Sequence, residues 1–442
     1  MVCSLLTISL PKLENQPYPP QREVSFLFKN LILENVGITF ERENLYSLYR
    51  GRVVKKADNL GGFWVDIGSS DGTLAFLPQR ETLNPTKVGD YITVQIKRER
   101  VENKPPRISQ KITLLGKFVN LTFSNFGKVQ FTFPAEESFL NKLQTLAEKE
   151  KLQIVVKKTD LERVLQEITQ LKEILKKILL IKEKEIKTLW EWKKAYSQIL
   201  ECGNLPNLYS DSLKFCQQLE EFSKEYPLLE LAKCEVSKKE KLLKQYQISQ
   251  YLNKILSPRV DFDGGYLLIE ETAAAIIVDV NAYGANHLQV NKKAIETLVR
   301  EIKKRNLGGV ILVDLINPKT LKQQKQLLEE LKEFFISHLW ECKFLGISRT
   351  GFLEIVCPKK GKTNIELLSE QCFTCKGVGR IKGATALYLE LLEKIKDYRG
   401  EDLKVYLPEV YRFLLKILQK EYAGKLIFQP KEKDFFPLVE PF

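Results

Sequence analysis

The 442-residue sequence has no apolar run reaching the ~18 residues of a membrane span, no second Cys-x-x-Cys and only two histidines. The first absence excludes a helical membrane protein. Its eight cysteines are too sparse for the disulfide framework of a small secreted domain, so a reducing compartment is expected. The opening MVCSLLTISLPKLE has a short apolar patch but neither a basic start nor a long apolar region, which argues against a signal peptide. His287 reads as a polar loop residue and His338 as a structural residue on a helix.

What is present is a chain with enough apolar residues, 44%, to bury substantial cores. At ~150 residues per domain, roughly three units are expected. Lysine and arginine number 69 against 56 acidic residues, a net charge of +13. A surplus of that size favours polyanionic partners, nucleic acid first among them.

From Tyr49 to about Leu115 the pattern is short alternating runs broken by turn residues: YRGRVV, GGFWVDIG, GTLAFLP, GDYITVQIKRER. These predict the strands of a small five-stranded barrel of OB type. Aromatic and basic residues interleave in it, including Trp64, Phe76, Lys97 and Arg98. On such a face bases stack on the aromatics while lysine and arginine take the phosphates. The alternative reading makes the same aromatics simply the core of the barrel. Residues 116–160 begin with β-rich FVNLTF and KVQFTF, and helical spacing over Leu161–Tyr196 predicts one long amphipathic helix. Residues 205–256 look helical.

Chemistry concentrates between Gly264 and Gly351. TAAAIIVD and GGVILVD are apolar runs that end at Asp279 and Asp314. The segment between them, HLQVNKKAIETLVREIKKRN, is helical, with Ala294, Leu298 and Ile302 on one face and Gly308-Gly309 as its stop signal. Two buried runs around one helix predict a βαβ unit with parallel strands, which a helix over 321–340 and the strand FLGISR extend. Ligands of such sheets bind beyond the carboxyl ends of the strands, where both aspartates stand. Two carboxylates that close repel unless a cation lies between them, and Mg²⁺ commonly takes one or two carboxylates and keeps several waters. Asn281, two residues after Asp279, points to the same side. An aspartate at a strand end also serves as a helix cap or turn former.

In order, GGYLLIEETAAAIIVDVNA, RNLGGVILVDLIN, GISRTGFLEI and CFTCKGVGRI closely resemble the catalytic core of the ribonuclease E/G family of endoribonucleases. The upstream LYRGRVVKKADNLGGFWVDIGSSDGTLAFLP resembles that family's inserted RNA-binding barrel of the ribosomal S-one type, and EDLKVYLPEVYRFLL its small terminal domain. The resemblance implies an α/β multidomain chain, with an OB-type RNA-binding barrel inserted ahead of an α/β nuclease core that has RNase H-like and DNase I-like parts. The implied boundaries are 1–45 for the N-terminal part of the RNase H-like subdomain, 46–115 for the barrel and 116–190 for a 5′-sensor-like region with the long helix. They continue with 191–257 for the RNase H-like helical part, 258–368 for the DNase I-like catalytic subdomain, 369–382 for a zinc link and 383–442 for the small C-terminal domain.

The implied activity is Mg²⁺-dependent cleavage of single-stranded RNA in RNA processing and mRNA decay, leaving 5′-phosphate and 3′-hydroxyl ends. Asp279 and Asp314 match the metal-binding aspartates, and Asn281 matches the asparagine that supports the metal site and scissile phosphate. Trp64, Phe76, Lys104 and Arg349 match RNA-contacting positions. Lys158 and Thr159 fall where the family senses a 5′-monophosphate through an Arg-Thr pair, and lysine lacks the bidentate fork of arginine. From spacing alone, Cys372 and Cys375 are a redox pair, two incidental turn cysteines or half of a four-ligand zinc site. The resemblance implies the last: one Cys-x-x-Cys from each of two chains holds a structural Zn²⁺, giving a homodimer and, by extension, a dimer of dimers. The implied setting is cytoplasmic, with the plastid stroma as alternative. The implied form is the short, ribonuclease G-like one. A non-catalytic RNA-binding protein derived from the same family is the rival reading.

Overall fold

The computed structural model describes residues 2–10, 21–101, 104–202, 205–284, 286–316, 321–339 and 341–370, and, beyond these, 387, 391, 394–395, 397–398, 400–407, 409–430 and 438–441. They fall into two units, Met1–Leu368 and Ser369–Phe442. Cys372 and Cys375, and with them the expected zinc link, lie outside the described residues.

The first unit is built on four sheets. Strands Cys3–Ser9, Gln21–Lys29 and Ile32–Phe40 form an antiparallel meander. Asn207–Ser210 pairs parallel with the first of them, and Cys234–Val236 pairs parallel with Asn207–Ser210. The Cys3–Ser9 run is buried on both faces, as its continuous apolar character requires. Leu5 and Leu27 pack into one core and Leu6, Phe26 and Phe28 into another. Residues 205–256 are therefore not purely helical. Strands of three or four residues carry no readable periodicity, and here they are recruited by an existing sheet edge.

The second sheet is the expected five-stranded barrel. Leu48–Ala57, Gly62–Asp66, Ala75–Pro78, Arg107–Ser109 and Tyr91–Arg98 follow one another around it, and the last pairs with the first to close it. Alternate residues Val53, Phe63, Val65, Leu77, Val94, Ile96 and Ile108 fill its interior. Thr113–Leu115 has already passed into a third sheet, with Val119–Phe123, Leu152–Val156 and Lys128–Phe131.

The helix that begins at Leu161, capped by the Asp160 side chain accepting from Arg163 N, stops at Leu179 instead of running to Tyr196. Lys187–Trp190 becomes a strand that pairs with Leu48–Arg50 on the barrel, and a separate helix follows at Lys194–Glu201. An available strand edge outweighs helical periodicity there, because every backbone group along it otherwise needs another partner.

The fourth sheet has the order Arg259–Phe262, Gly265–Glu271, Ala275–Ala282, Gly309–Asp314, Leu353–Cys357, Lys343–Ile347. Ala275–Ala282 and Gly309–Asp314 are parallel neighbours joined by the helix His287–Arg305, which is the expected βαβ unit. Ala294, Leu298 and Ile302 are buried against the sheet, as is the helix Leu321–His338 through Leu327, Leu331 and Phe335. The first helix ends at Asn306, which takes the left-handed conformation (φ 54°), so Gly308-Gly309 is not its cap. Gly308 instead lies where a Cβ would strike the Pro358 carbonyl, 2.8 Å away. The FLGISR strand extends the sheet only at its edge. The unforeseen strand Leu353–Cys357 inserts antiparallel between it and Gly309–Asp314.

Cysteines 216 and 234, and 342 and 357, form disulfides with Cα separations of 5.7 and 4.2 Å. Neither pairing was foreseen from the sequence, where the cysteines read as too sparse for a disulfide framework. The parallel strand Cys234–Val236 brings one pair together, and the antiparallel hairpin that ends in Cys357 brings the other.

In the second unit, Leu403–Leu407 lies between Leu426–Pro430, parallel, and Leu438–Pro441, antiparallel. Leu391, Ile395, Val405 and Leu418 form its core.

Candidate functional site

Along Ala275–Ala282 the residues alternate. Ile276, Val278 and Val280 are buried beneath the sheet, while Ile277, Asp279 and Asn281 belong to the other face. Val313 is likewise buried and Asp314 exposed. Pairing register then decides the geometry. Asp279 is the direct partner of Asp314 on the neighbouring parallel strand. Strands pack about 4.8 Å apart, so the two carboxylates rise side by side from one face. Asn281 Nδ2 donates to Asp279 Oδ2 at 2.9 Å and so orients that carboxylate. The chain leaving Asp314 is fixed by Asn291, fully buried on the inner side of the helix. Its side chain accepts from Ile316 N (3.0 Å) and donates to Ile316 O (2.7 Å). Nothing in the sequence reading singled out Asn291; a polar residue on an otherwise apolar helix face was the available signal.

Among the described residues, no group of three or more His, Cys, Asp or Glu side chains is placed to hold a metal ion. The donor set at the paired strand ends, Asp279, Asp314 and the Asn281 amide oxygen, consists of hard oxygen donors. It suits Mg²⁺, which takes few protein ligands and keeps waters, and does not suit a fully protein-ligated ion.

Arg349 is exposed in the turn after Lys343–Ile347, closed by Gly351 at φ 95°. That strand runs parallel to Gly309–Asp314, so the turn lies at the same end of the sheet as the aspartates.

On the barrel, Trp64 and Phe76 are cross-strand partners with ring centroids 5.5 Å apart. Both point outward and are half-buried, so neither is barrel core. Register extends the pair into a row of four, Lys55, Trp64, Phe76 and Arg107, on successive strands. Lys55 and Arg107 were not singled out in the sequence, because cross-strand alignment is not written in either strand alone. Lys104 is exposed and bridges to Val101, and the adjacent Pro105 lines a groove with Trp64, Lys55 and Arg100. The barrel is tied to the aspartate sheet by Glu99 N donating to Lys360 O (2.7 Å) and by Tyr46 Oη donating to Glu341 (3.1 Å), and Glu341 and Lys360 are themselves an ion pair.

Thr159 is exposed, and the Lys158 ammonium lies 4.5 Å from the centre of the Phe118 ring. Burial lowers its pKa. The backbone N–H groups of Lys117, Phe118 and Val119 converge nearby in the manner of an anion-binding nest. They are occupied by the Glu167 carboxylate at 2.7–2.8 Å.

The sequence profile of the Ribonuclease E/G family matches residues 138–360, half of the chain. The chain belongs to the ribonuclease E/G family. Among its relatives, the ribonuclease E/G-like protein of Porphyra purpurea is 28% identical over 370 residues, 73% of this chain and 70% of that protein. Ribonuclease G of Haemophilus influenzae is 25% identical over 420 residues, 84% of each. The chloroplastic ribonuclease E/G-like protein of Arabidopsis thaliana is 28% identical over 191 residues, 41% of this chain and 18% of that protein. The family match contains both aspartates and Asn281; the barrel row lies upstream of it.

Proposed function

We propose that this chain is a Mg²⁺-dependent endoribonuclease that cleaves single-stranded RNA, leaving 5′-phosphate and 3′-hydroxyl ends, in RNA processing and mRNA decay. The observation that carries the reading is the register pairing of Asp279 with Asp314 on an exposed sheet face. Asp279 and Asp314 would hold the ion, with Asn281 fixing Asp279. Bound there, Mg²⁺ supplies Lewis-acid polarisation of the phosphodiester and a more acidic water. In the hydrolysis, a water oxygen bonds to phosphorus, the bond from phosphorus to the 3′ oxygen breaks, and that oxygen takes a proton. Trp64, Phe76, Lys104 and Arg349 would guide the strand, with bases on the aromatics and phosphates on the cations. The Lys158–Thr159 region would sense a 5′-phosphate weakly, since Glu167 holds the nearby backbone donors.

The meander followed by two parallel strands supports an RNase H-like part, and the aspartate sheet a DNase I-like part. Cys372 and Cys375 would share Zn²⁺ with a second chain and so make a homodimer, and pairs of such dimers a tetramer. That link requires one zinc per two chains and dimer loss on Cys372→Ser. No helix among the described residues is long and apolar enough to cross a membrane. The family resemblance favours a cytoplasmic setting, and the chloroplastic relative supports the plastid stroma instead.

A second reading is a non-catalytic RNA-binding protein of this family. The small donor set favours it, with no three-residue metal cluster among the described residues. An AU-rich single-stranded RNA separates the two. Wild type with Mg²⁺ should yield 5′-phosphorylated fragments and Asp279→Asn none. Tight binding by both without metal-dependent cleavage would establish the second reading.

A further inference from the structure

The aspartate face does not end at the aspartates. Register places Arg259, Leu268, Asp279 and Asp314 in one row across four strands, and Asp261, Tyr266 and Asn281 in the next. Tyr266 is thus the direct partner of Asn281, whose amide binds Asp279. Beside it stands Tyr283, 62% exposed, two residues beyond Asn281, with its ring centroid 5.8 Å from that of Tyr266. The Arg259 guanidinium lies 3.9 Å over the Tyr266 ring. Its Nη2 donates to Tyr283 Oη (2.5 Å) and to Asp261 Oδ1 (2.9 Å), and Tyr283 Oη donates to Asp261 Oδ1 (3.1 Å). The half-buried Tyr266 ring and the exposed Tyr283 ring are therefore held in place by a cation and a carboxylate, Tyr266 on the strand next to Asp279 and Tyr283 four residues, about 13 Å, along Asp279's own strand.

Two rings fixed this way beside a phosphodiester site offer a nucleobase a rigid stacking surface, and the exposed arginine offers its phosphate a charge partner. We propose that Tyr266, Tyr283 and Arg259 form a platform that binds one of the two nucleosides flanking the scissile phosphate and so selects the bond to be cut. The proposal rests on the nuclease reading for its use of the aspartates. The platform positions substrate and takes no part in bond breaking. Asp261 fixes Arg259 and is not itself a contact for RNA, since its charge repels phosphate.

The test is a cycle between the protein and single abasic substitutions placed on either side of the cleavage site of an AU-rich oligonucleotide. Binding is read by fluorescence anisotropy in the Asp279→Asn chain, which keeps the RNA intact, and cleavage in chains with Asp279 restored. Tyr266→Ala and Tyr283→Ala should each weaken binding and raise KM roughly 5- to 100-fold, the range of base–aromatic stacking, with kcat changed only a few-fold. Tyr266→Phe should stay within about twofold of the parent, because the ring face is what binds. One abasic position should cost the parent the same factor and cost the alanine variants nothing more. Equal abasic losses in parent and alanine variants at both positions would overturn the platform. Failure of the wild type to cleave would instead remove the nuclease reading, while the binding cycle in the Asp279→Asn chain still decides the platform.

Discussion

Replacing Asp314 with asparagine should make the metal-free protein more stable while destroying its response to magnesium. Asp279 and Asp314 are register partners on adjacent strands, both exposed. At about 5 Å, two like charges cost about 1 kcal/mol in water and about 3 kcal/mol at an effective dielectric of 20. Exposure puts this pair near the lower figure. Asparagine keeps the shape and removes one charge, so the gain without metal is about 1 kcal/mol, or about 1 °C in Tm for a unit of this size. Magnesium at about a hundred times its Kd should add about 2.7 kcal/mol to the wild type, several degrees in sign and size unlike the first effect. The variant, with one carboxylate left, should gain little. Thermal unfolding in EDTA and in Mg²⁺ reads both effects, and cleavage of labelled RNA, expected to drop by ~10³ or more, reads the third. If the variant melts below wild type in EDTA, or if both chains gain equally from Mg²⁺, the two carboxylates do not share an ion.

Three further outcomes follow from other parts of the fold. In Gly265→Ala a new Cβ meets the carbonyl oxygen of Asn281, so the variant should lose about 1–3 kcal/mol in urea unfolding and lose cleavage with it. Arg305 is wholly buried and bound to Glu301 at 2.7 Å. Glu301 also holds Lys304 Nζ at 2.6 Å, so Arg305→Met removes one of its two cations and should cost about 1–3 kcal/mol, whereas Glu301→Leu with Arg305→Met should recover part of it. Burial lowers Lys97 to about 7, its ammonium held by Gln95 and Thr113. The unfolded chain then binds more protons than the folded one between pH 7 and about 10.5, so this residue's contribution to stability rises across that window. The span is at most about 5 kcal/mol. Denaturant midpoints from pH 6 to pH 10 should rise less steeply in Lys97→Met than in wild type, and parallel curves would contradict the assignment.

The βαβ unit was legible because it is local. Two apolar runs that each end in aspartate, with an amphipathic segment between, leave few other topologies. The same logic reached the barrel, where alternation and turn residues mark each strand. It failed where a strand depends on a distant partner. Lys187–Trp190 continues a helical pattern in sequence but completes the barrel edge in space. Asn207–Ser210 and Cys234–Val236 are too short to carry a period, and exist because Cys3–Ser9 offers the first an edge and the first then offers one to the second. The Cys216–Cys234 disulfide shares this cause, since the parallel strand Cys234–Val236 brings its cysteines together.

The candidate site divides along the same line. Which face each residue occupies is written in the strand, so Asp279 and Asn281 together can be read directly. Which residues stand opposite one another is not, because a slip of two residues keeps every face and changes every neighbour. Both rows are products of register: Lys55, Trp64, Phe76 and Arg107 on the barrel, and Arg259, Leu268, Asp279 and Asp314 on the open sheet. Each sets cations beside aromatics or carboxylates at strand spacing, about 5 Å per step. A two-residue slip between Ala275–Ala282 and Gly309–Asp314 would leave the core equally apolar while separating the aspartates along the strands by about 7 Å. Core packing alone therefore does not hold the geometry of the aspartate pair. The features that pin register must do so: the buried Asn291 clasp on Ile316 and the close approach of Gly308 to Pro358, at the two ends of the Gly309–Asp314 strand.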